Sequence, residues 1–275
     1  MKIINFFYEL CILLFFLFKF KLKKTRKLSP NHGLKKKLIV SFTSKKSRFL
    51  FLHLMIESLF DQTIHPDEII LWIDLKEKRF LPKKIFNYCG KGLQIKFCKN
   101  LKSYNKFYYV LKKSKNTFLI TFDDDVVYNK YSISHLIYKY KKSKKNYVIA
   151  NRIHKIRLNN NLPKKYINWE WNSKNSKPDI LNFQTGVFGV LYPPKSFYRD
   201  VGEKKIFLKL SPFADDIWLY WMIRLQRKKI LWSGFEFKNF NILNFDKKLN
   251  NLNVGLGRND NQIENLTKKY GFSKK

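Results

Sequence analysis

The chain has 275 residues, with 56 Lys and Arg against 20 Asp and Glu and a formal net charge of +36. Charge on that scale is usual in disordered or nucleic-acid-binding tails, but 45% of the residues are hydrophobic and 17% aromatic, so an unfolded polycation is excluded. The length suits one large domain or two small ones and excludes a disulfide-stapled mini-protein. Cys11, Cys89 and Cys98 form no CxxC pair, which argues against a structural zinc site and leaves a reducing cytoplasm as the default setting.

Residues 1–30 have their own composition. An apolar stretch from Ile3 to Phe18, broken by Asn5 and Glu9, is followed by Lys19, Lys21, Lys23, Lys24, Arg26 and Lys27. A bilayer span needs about 20 apolar residues, which makes this stretch marginal. Its charge follows the apolar run and no A-x-A site appears, so it does not read as a cleaved signal peptide. The expectation is a hydrophobic helix that associates with the anionic cytoplasmic face of the inner (plasma) membrane, either peripherally or as a single pass.

From Leu34 onward short apolar runs alternate with helical periodicities. Strands are expected at Lys37 to Thr43, Glu68 to Asp74, Leu93 to Cys98 and Thr117 to Phe122, with helices from about Phe49 to Gln62, Lys83 to Tyr88 and Tyr104 to Lys113. That alternation implies βαβ units and a parallel sheet. Beyond Tyr128 the order loosens. A helix is expected from Ser132 to Lys142, a strand from Tyr147 to Ala150, a polar, aromatic-dotted loop to Phe183, a strand from Val187 to Tyr192, a helix from Asp215 to Gln226 and a strand from Lys229 to Trp232. The Asn- and Lys-rich tail from Lys247 is expected to be poorly ordered. The fold class is α/β, a single Rossmann-like domain over residues 31–275 with a mostly parallel central sheet flanked by helices, preceded by the hydrophobic helix. Residues 31–128 form its nucleotide side and 129–275 its acceptor side.

In a chain so poor in acids, five fall into two clusters: Asp123-Asp124-Asp125 and Asp215-Asp216. The first follows a buried strand, and ligands of open α/β sheets bind outside the carboxyl ends of the strands. Adjacent carboxylates repel one another unless a cation or strong donors hold them, and hard oxygen ligands suit Mg²⁺ or Mn²⁺ shared with a diphosphate. An acidic turn solvated at a strand end is the plain alternative. The second cluster opens an apolar helix, where one Asp serves the helix start and the other is free to act as a general base. The run Gly255 to Asn259 follows no strong strand and opens no helix, so it is no dinucleotide fingerprint, and the five histidines show no metal spacing.

Between Leu38 and Leu219 the sequence resembles bacterial GT-A-fold glycosyltransferases related to family 2, which build surface polysaccharides. The resemblance is carried by SFTSKKSRF, IESLFDQTIHPDEIILWI, LKSYNKF, ITFDDDVVY, RIH at Arg152 to His154, GVFGVLYPP and ADDIWL; Lys45 and Lys46 depart from the aromatic or proline stretch common there. It implies an inverting transfer from a nucleotide-diphosphate sugar to a hydroxyl of a glycan or lipid-linked saccharide. Asp123 and Asp125 would hold Mn²⁺ or Mg²⁺, with Asp124 towards the ribose or sugar. Asp216 would be the base and Asp215 its acidic partner. Thr43, Arg48 and Asp74 would line the nucleotide, Lys102 and Lys106 would face phosphate, and Gly186 and Gly189 would let backbone approach the ligand. Trp169 and Trp171 are candidates for stacking on an acceptor sugar or for pinning their loop. The rival class is a basic nucleic-acid-binding protein or metal-dependent nuclease. Lysines spread along the whole chain, with no RNP-like run, weigh against it, and no nucleic-acid partner is expected.

Overall fold

The computed structural model describes residues 2–114, 116–143, 145–242 and 257–272, with side chains from residue 9 onward. The expected alternation is present. Strands β1 (Leu38–Thr43), β2 (Glu68–Asp74), β3 (Leu93–Cys98) and β4 (Phe118–Thr121) are linked through helices α2 (Leu52–Phe60), α3 (Lys83–Phe86) and α4 (Asn105–Lys113). Val126–Val127 (β5) and helix α5 (Ser132–Ser143) follow, and then β6 (Val148–Ala150). The segment expected to be an open loop carries four short strands: β7 (Ile153–Lys155), β8 (Leu158–Asn159), β9 (Leu162–Pro163) and β10 (Asn182–Gln184). The last elements are β11 (Val190–Tyr192), α6 (Lys204–Leu210), α7 (Asp215–Leu225), β12 (Ile230–Trp232), β13 (Phe240–Asn241) and α8 (Arg258–Tyr270).

Seven strands form the central sheet in the order β12-β6-β11-β4-β1-β2-β3. All neighbours are parallel except β11, which runs antiparallel between β4 and β6. Side chains of β1 alternate between two cores, as a strand buried on both faces must. Leu38, Val40 and Phe42 pack with α2, α3 and α5, whereas Ile39 points to the face covered by α4, α6, α7 and α8. Helix α7 is apolar all round, and Ile217 through Ile223 are all buried, so it serves as a central pillar of the second core rather than a surface helix.

Several boundaries differ from the sequence expectation for identifiable reasons. The strand expected from Val187 begins only at Val190, because Gly186–Phe188 forms a 3₁₀ turn and Gly189 takes φ 96°. Gly255, Leu256 and the tail up to residue 256 lie outside the described residues. Beyond them, Gly257 caps helix α8, so the expectation that the run opens no helix is corrected. That helix is anchored by buried Ile263 and Leu266 and by Gln262, whose Oε1 accepts from the Phe213 and Ala214 backbone N–H groups.

At the amino terminus, α1 (Lys2–Leu22) packs Leu13, Phe16 and Phe20 on Leu54 of α2 and Val127 of β5. Leu14, Phe15, Phe18 and Leu22 stay more than half exposed. Lys19 and Lys23 pair with Asp61 at the end of α2, and Thr25 donates to the Glu57 carboxylate. Among the described residues, no helix is long and apolar enough to cross a membrane.

Candidate active site

Because β1, β2 and β4 are parallel, their carboxyl ends lie along one edge of the sheet. The aspartate triplet leaves β4 there. In the turn between β4 and β5 the side chains of Asp123 and Asp125 are 30% and 33% exposed, and that of Asp124 only 5%. The two outer carboxylates therefore stay partly open to solvent while Asp124 turns inward onto Arg48. The Arg48 guanidinium also reaches Asp125, at 3.1 Å. Burial opposes the charge of Arg48, but the paired carboxylates outweigh it and hold its pKa above the usual arginine value. The triplet is clamped from behind by Tyr128, whose hydroxyl accepts from the Asp123 N–H at 3.0 Å and lies 2.9 Å from the Asp123 carbonyl.

The second acidic pair arrives from 92 positions further along the chain and meets the first through one buried lysine. Lys106, 4% exposed on α4, places Nζ 2.8 Å from Asp123 Oδ1 and 3.0 Å from Asp215 Oδ2. Burial would strip its proton, but the two carboxylates prevail and hold the lysine charged. On Asp123 the same contest runs in mirror image: burial pushes the carboxyl up, and Lys106, with Arg48 and Arg152 behind it, keeps it low. Tyr104 fixes the start of α7 by donating to the Ser211 carbonyl. Asp215 is buried, whereas Asp216, one residue on, keeps partial access to solvent, and its Oδ1 accepts from the Ile217 N–H. Burial and the neighbouring Asp215 push the Asp216 carboxyl up to about 7. Burial likewise raises Asp125 to about 6, despite Arg48.

These features bear on metal binding. Among the described residues no three acids, histidines or cysteines form a ready-made cage. Five carboxylates, however, face three cations, Arg48, Lys106 and Arg152, leaving two negative charges when all are ionised. Buried Asp124 Oδ2 has no hydrogen-bond partner. The hard oxygens of Asp123 and Asp125, in a cluster with surplus negative charge, fit Mg²⁺ or Mn²⁺ of the kind that binds one or two carboxylates and completes its shell with substrate phosphate.

The remaining expected residues divide. Thr43 and Asp74 end β1 and β2 on this edge; Thr43 Oγ1 donates to the Trp72 carbonyl, and Asp74 accepts from the Lys76 N–H as a turn residue. Lys102 is not brought to the cluster: it is exposed, and its ammonium sits 4.4 Å from the Phe213 ring. Gly186 lies over the Lys106 and Asp123 pair, where a Cβ would come within 3.2 Å of Nζ. Gly189 answers to packing, since a Cβ would fall 2.4 Å from Phe122 Cε1. Trp169 and Trp171 pin their loop through indole bonds to the Lys164 and Tyr166 carbonyls.

Two participants escaped the sequence reading. Tyr128 carries no local signal beyond its apolar surroundings. Arg152, quoted above only as part of RIH, leaves the end of β6 and is close enough to Asp123 and Asp216 for both to act on its charge.

The family described as Glycosyl transferase family 2 matches residues 44–207, more than half of the chain, including Arg48, Asp74, Lys106, the triplet and Gly186 but not Thr43, Asp215 or Asp216. No curated protein matches the sequence. Among solved structures, Staphylococcus aureus TarS 1–349 superimposes with a TM-score of 0.51 at 15% identity, covering 74% of this chain and 60% of that one. The same protein in complex with UDP-GlcNAc gives 0.51 at 12% identity, over 78% and 60%. The Pyrobaculum calidifontis mannosyltransferase PcManGT, solved with GDP-Man and Mn²⁺, reaches 0.45 at 9% identity over 80% and 61%, too distant to carry an argument. This chain thus spans about three fifths of the TarS fragment. The TarS likeness supports the fold alone, a GT-A-like arrangement with a mostly parallel seven-stranded sheet. On the family match, this chain is a member of glycosyl transferase family 2.

Proposed function

We propose that the protein is a metal-dependent inverting glycosyltransferase that moves a sugar from a nucleotide-diphosphate donor to a hydroxyl of a cell-surface glycan or lipid-linked saccharide. One observation carries the reading: Lys106 ties Asp123 to Asp215, so the two acidic clusters serve one cleft. Asp123 and Asp125 would hold Mn²⁺ or Mg²⁺, with Thr43, Arg48, Asp74 and Asp124 on the nucleotide flank. A divalent ion bound there supplies positive charge to the diphosphate as it leaves. Lys106 and Arg48 keep the carboxylates oriented and add fixed positive charge beside the leaving oxygens. Asp216, partly open to solvent and poised near neutrality, accepts the proton of the incoming hydroxyl, and attack from the face opposite the diphosphate inverts the anomeric centre. Buried Asp215 stays on Lys106 and is the partner of the base rather than the base itself.

The exposed face of α1, Leu14, Phe15, Phe18 and Leu22, lies beside Lys19, Lys21, Lys23, Lys24, Arg26 and Lys27. In this reading it rests in the plane of an anionic membrane surface at the cytoplasmic side, each basic residue near the headgroups contributing about 1 kcal/mol. A thermal-shift screen of nucleoside diphosphates with and without Mn²⁺ tests the donor assignment, since a ligand that binds the native state stabilises it in proportion to the logarithm of its concentration over its dissociation constant. Metal-dependent stabilisation by one nucleotide series is expected; no shift with any of them would end the assignment.

A further inference from the structure

Strand β6 is parallel to β12 and antiparallel to β11, so its carboxyl end opens on the same edge as that of β4. A pocket of about 230 Å³ lies there, lined by Arg152, Phe188, Trp232, Phe235 and Phe237, with the ion pair of Lys174 and Glu236 in its wall. Functional pockets for whole drug-sized ligands run from about 300 to 1,000 Å³, so this space suits one sugar-sized group rather than a nucleotide.

The polar lining is almost entirely engaged. Asn151 Nδ2 donates to the Ser132 and Phe188 carbonyls, Ser173 Oγ to Glu170, and Trp232 Nε1 to the Asn151 carbonyl. Arg152 is the exception. Its Nε donates to Thr185 Oγ1 at 2.7 Å and its guanidinium lies 5.0 Å from the centre of the Phe188 ring, but among the described residues no carboxylate pairs with it. The Arg152 fork is partly open on the pocket with no carboxylate at ion-pair distance, and its planar geometry matches a carboxylate or a phosphate.

Position separates this cation from the nucleotide flank, although it still acts on the charge of Asp123. Thr43 and Asp74 leave β1 and β2 on one side of β4, whereas Arg152 leaves β6, two strands away on the other side, or roughly 10 Å at ordinary strand spacing. We propose that the pocket beside Arg152 receives an anionic group, carboxylate or phosphate, carried by the acceptor saccharide. The aromatic walls take the sugar ring and the guanidinium takes the charge, which places the acceptor hydroxyl on the side of Asp216. The acceptor role rests on the glycosyltransferase reading above; the anion pocket itself does not.

Ligand-observed NMR titration of the full chain with glucuronate, glucose 6-phosphate and methyl glucoside tests this. The anionic probes are expected to bind at least about tenfold more tightly than the neutral one, Arg152→Gln to remove that advantage, and Arg152→Lys to keep part of it. The better of the two anionic probes identifies the group. Nucleoside diphosphate binding with Mn²⁺, measured on the same samples, should fall by a smaller factor in Arg152→Gln than binding of the anionic probes does. Equal binding of charged and neutral probes, or an Arg152→Gln protein that binds the anionic probes like wild type, would overturn the proposal. A matching loss of nucleotide affinity would also overturn it, by assigning Arg152 to the donor. Wild-type protein that binds the anionic sugars but no nucleoside diphosphate would instead remove the transferase reading and the acceptor role that depends on it.

Discussion

Replacing Lys106 by methionine removes a cation that two carboxylates share. The side chain is 5% exposed, Asp215 is 10% exposed and Asp123 30%. Breaking a buried ion pair typically costs about 3–5 kcal/mol, because the partner charge is left behind. Here Asp123 can recover hydration and still faces Arg48 and Arg152, whereas Asp215 cannot, so the lower end applies: about 3 kcal/mol for Lys106→Met. In a domain of this size about 3 kcal/mol lowers the melting temperature by roughly 6–12 °C. Asp215→Asn removes the stranded charge, so adding it to Lys106→Met should recover part of the loss, giving a coupling of about 1.5 kcal/mol or more in a urea double-mutant cycle. A cycle additive within about 0.5 kcal/mol, or a Lys106→Met loss below about 1 kcal/mol, would refute the claim that this lysine joins the two clusters.

Other consequences are equally concrete. Gly189→Ala combines φ 96° with a Cβ 2.4 Å from the Phe122 ring and should cost about 2–3 kcal/mol by chemical denaturation; Gly202→Ala, with nothing within 4 Å, should stay within about 0.5 kcal/mol. His154 is kept neutral, its pKa lowered to about 4 by burial and by Arg152, and its Nδ1 accepts from the Asn172 N–H. The unfolded chain therefore takes up the proton first. The stability this provides is complete above pH 6.5 and is lost as pH falls towards 4; denaturation midpoints across that range should lose about 3 kcal/mol more for wild type than for His154→Gln. If Asp216 is the base, kcat/KM should rise with pH through about 7, and a flat profile from about pH 5.5 to 8 would exclude it. Phe15→Glu with Phe18→Glu should abolish co-sedimentation with phosphatidylserine vesicles while leaving the melting temperature within about 2 °C, since both rings point away from the body.

What could be read in advance was whatever local order imposes. Strands β1 to β4 are short apolar runs bounded by polar turns, and their ends came within a residue or two. The two acidic clusters stood out because acids are scarce in this chain. What stayed hidden depends on pairing at long range. Nothing in VLY announces that β11 inserts antiparallel between β4 and β6, and that choice is what brings Gly186 over Asp123. Lys106 looked like one lysine among many, expected to face phosphate. Only the approach of α7 to α4 turns it into the bridge between Asp123 and Asp215, while Lys102, four residues earlier, is carried out to Phe213. The tail helix was missed because its sequence is polar on three sides; Ile263 and Leu266 supply a narrow stripe that makes sense only against α6 and α7. Arg152 left no trace in periodicity, being one basic residue after an ordinary strand.

Calorimetric titration of the best nucleoside diphosphate in Mn²⁺, set beside turnover of the corresponding nucleotide sugar, separates holding from chemistry across wild type, Asp125→Asn and Asp216→Asn. Asp125→Asn should lose the metal-dependent part of nucleotide affinity. Asp216→Asn should bind within about twofold of wild type yet transfer sugar at least about a hundredfold more slowly. Equal nucleotide affinity in all three proteins, or an Asp216→Asn enzyme that turns over like wild type, would contradict the division of labour between the two aspartate clusters.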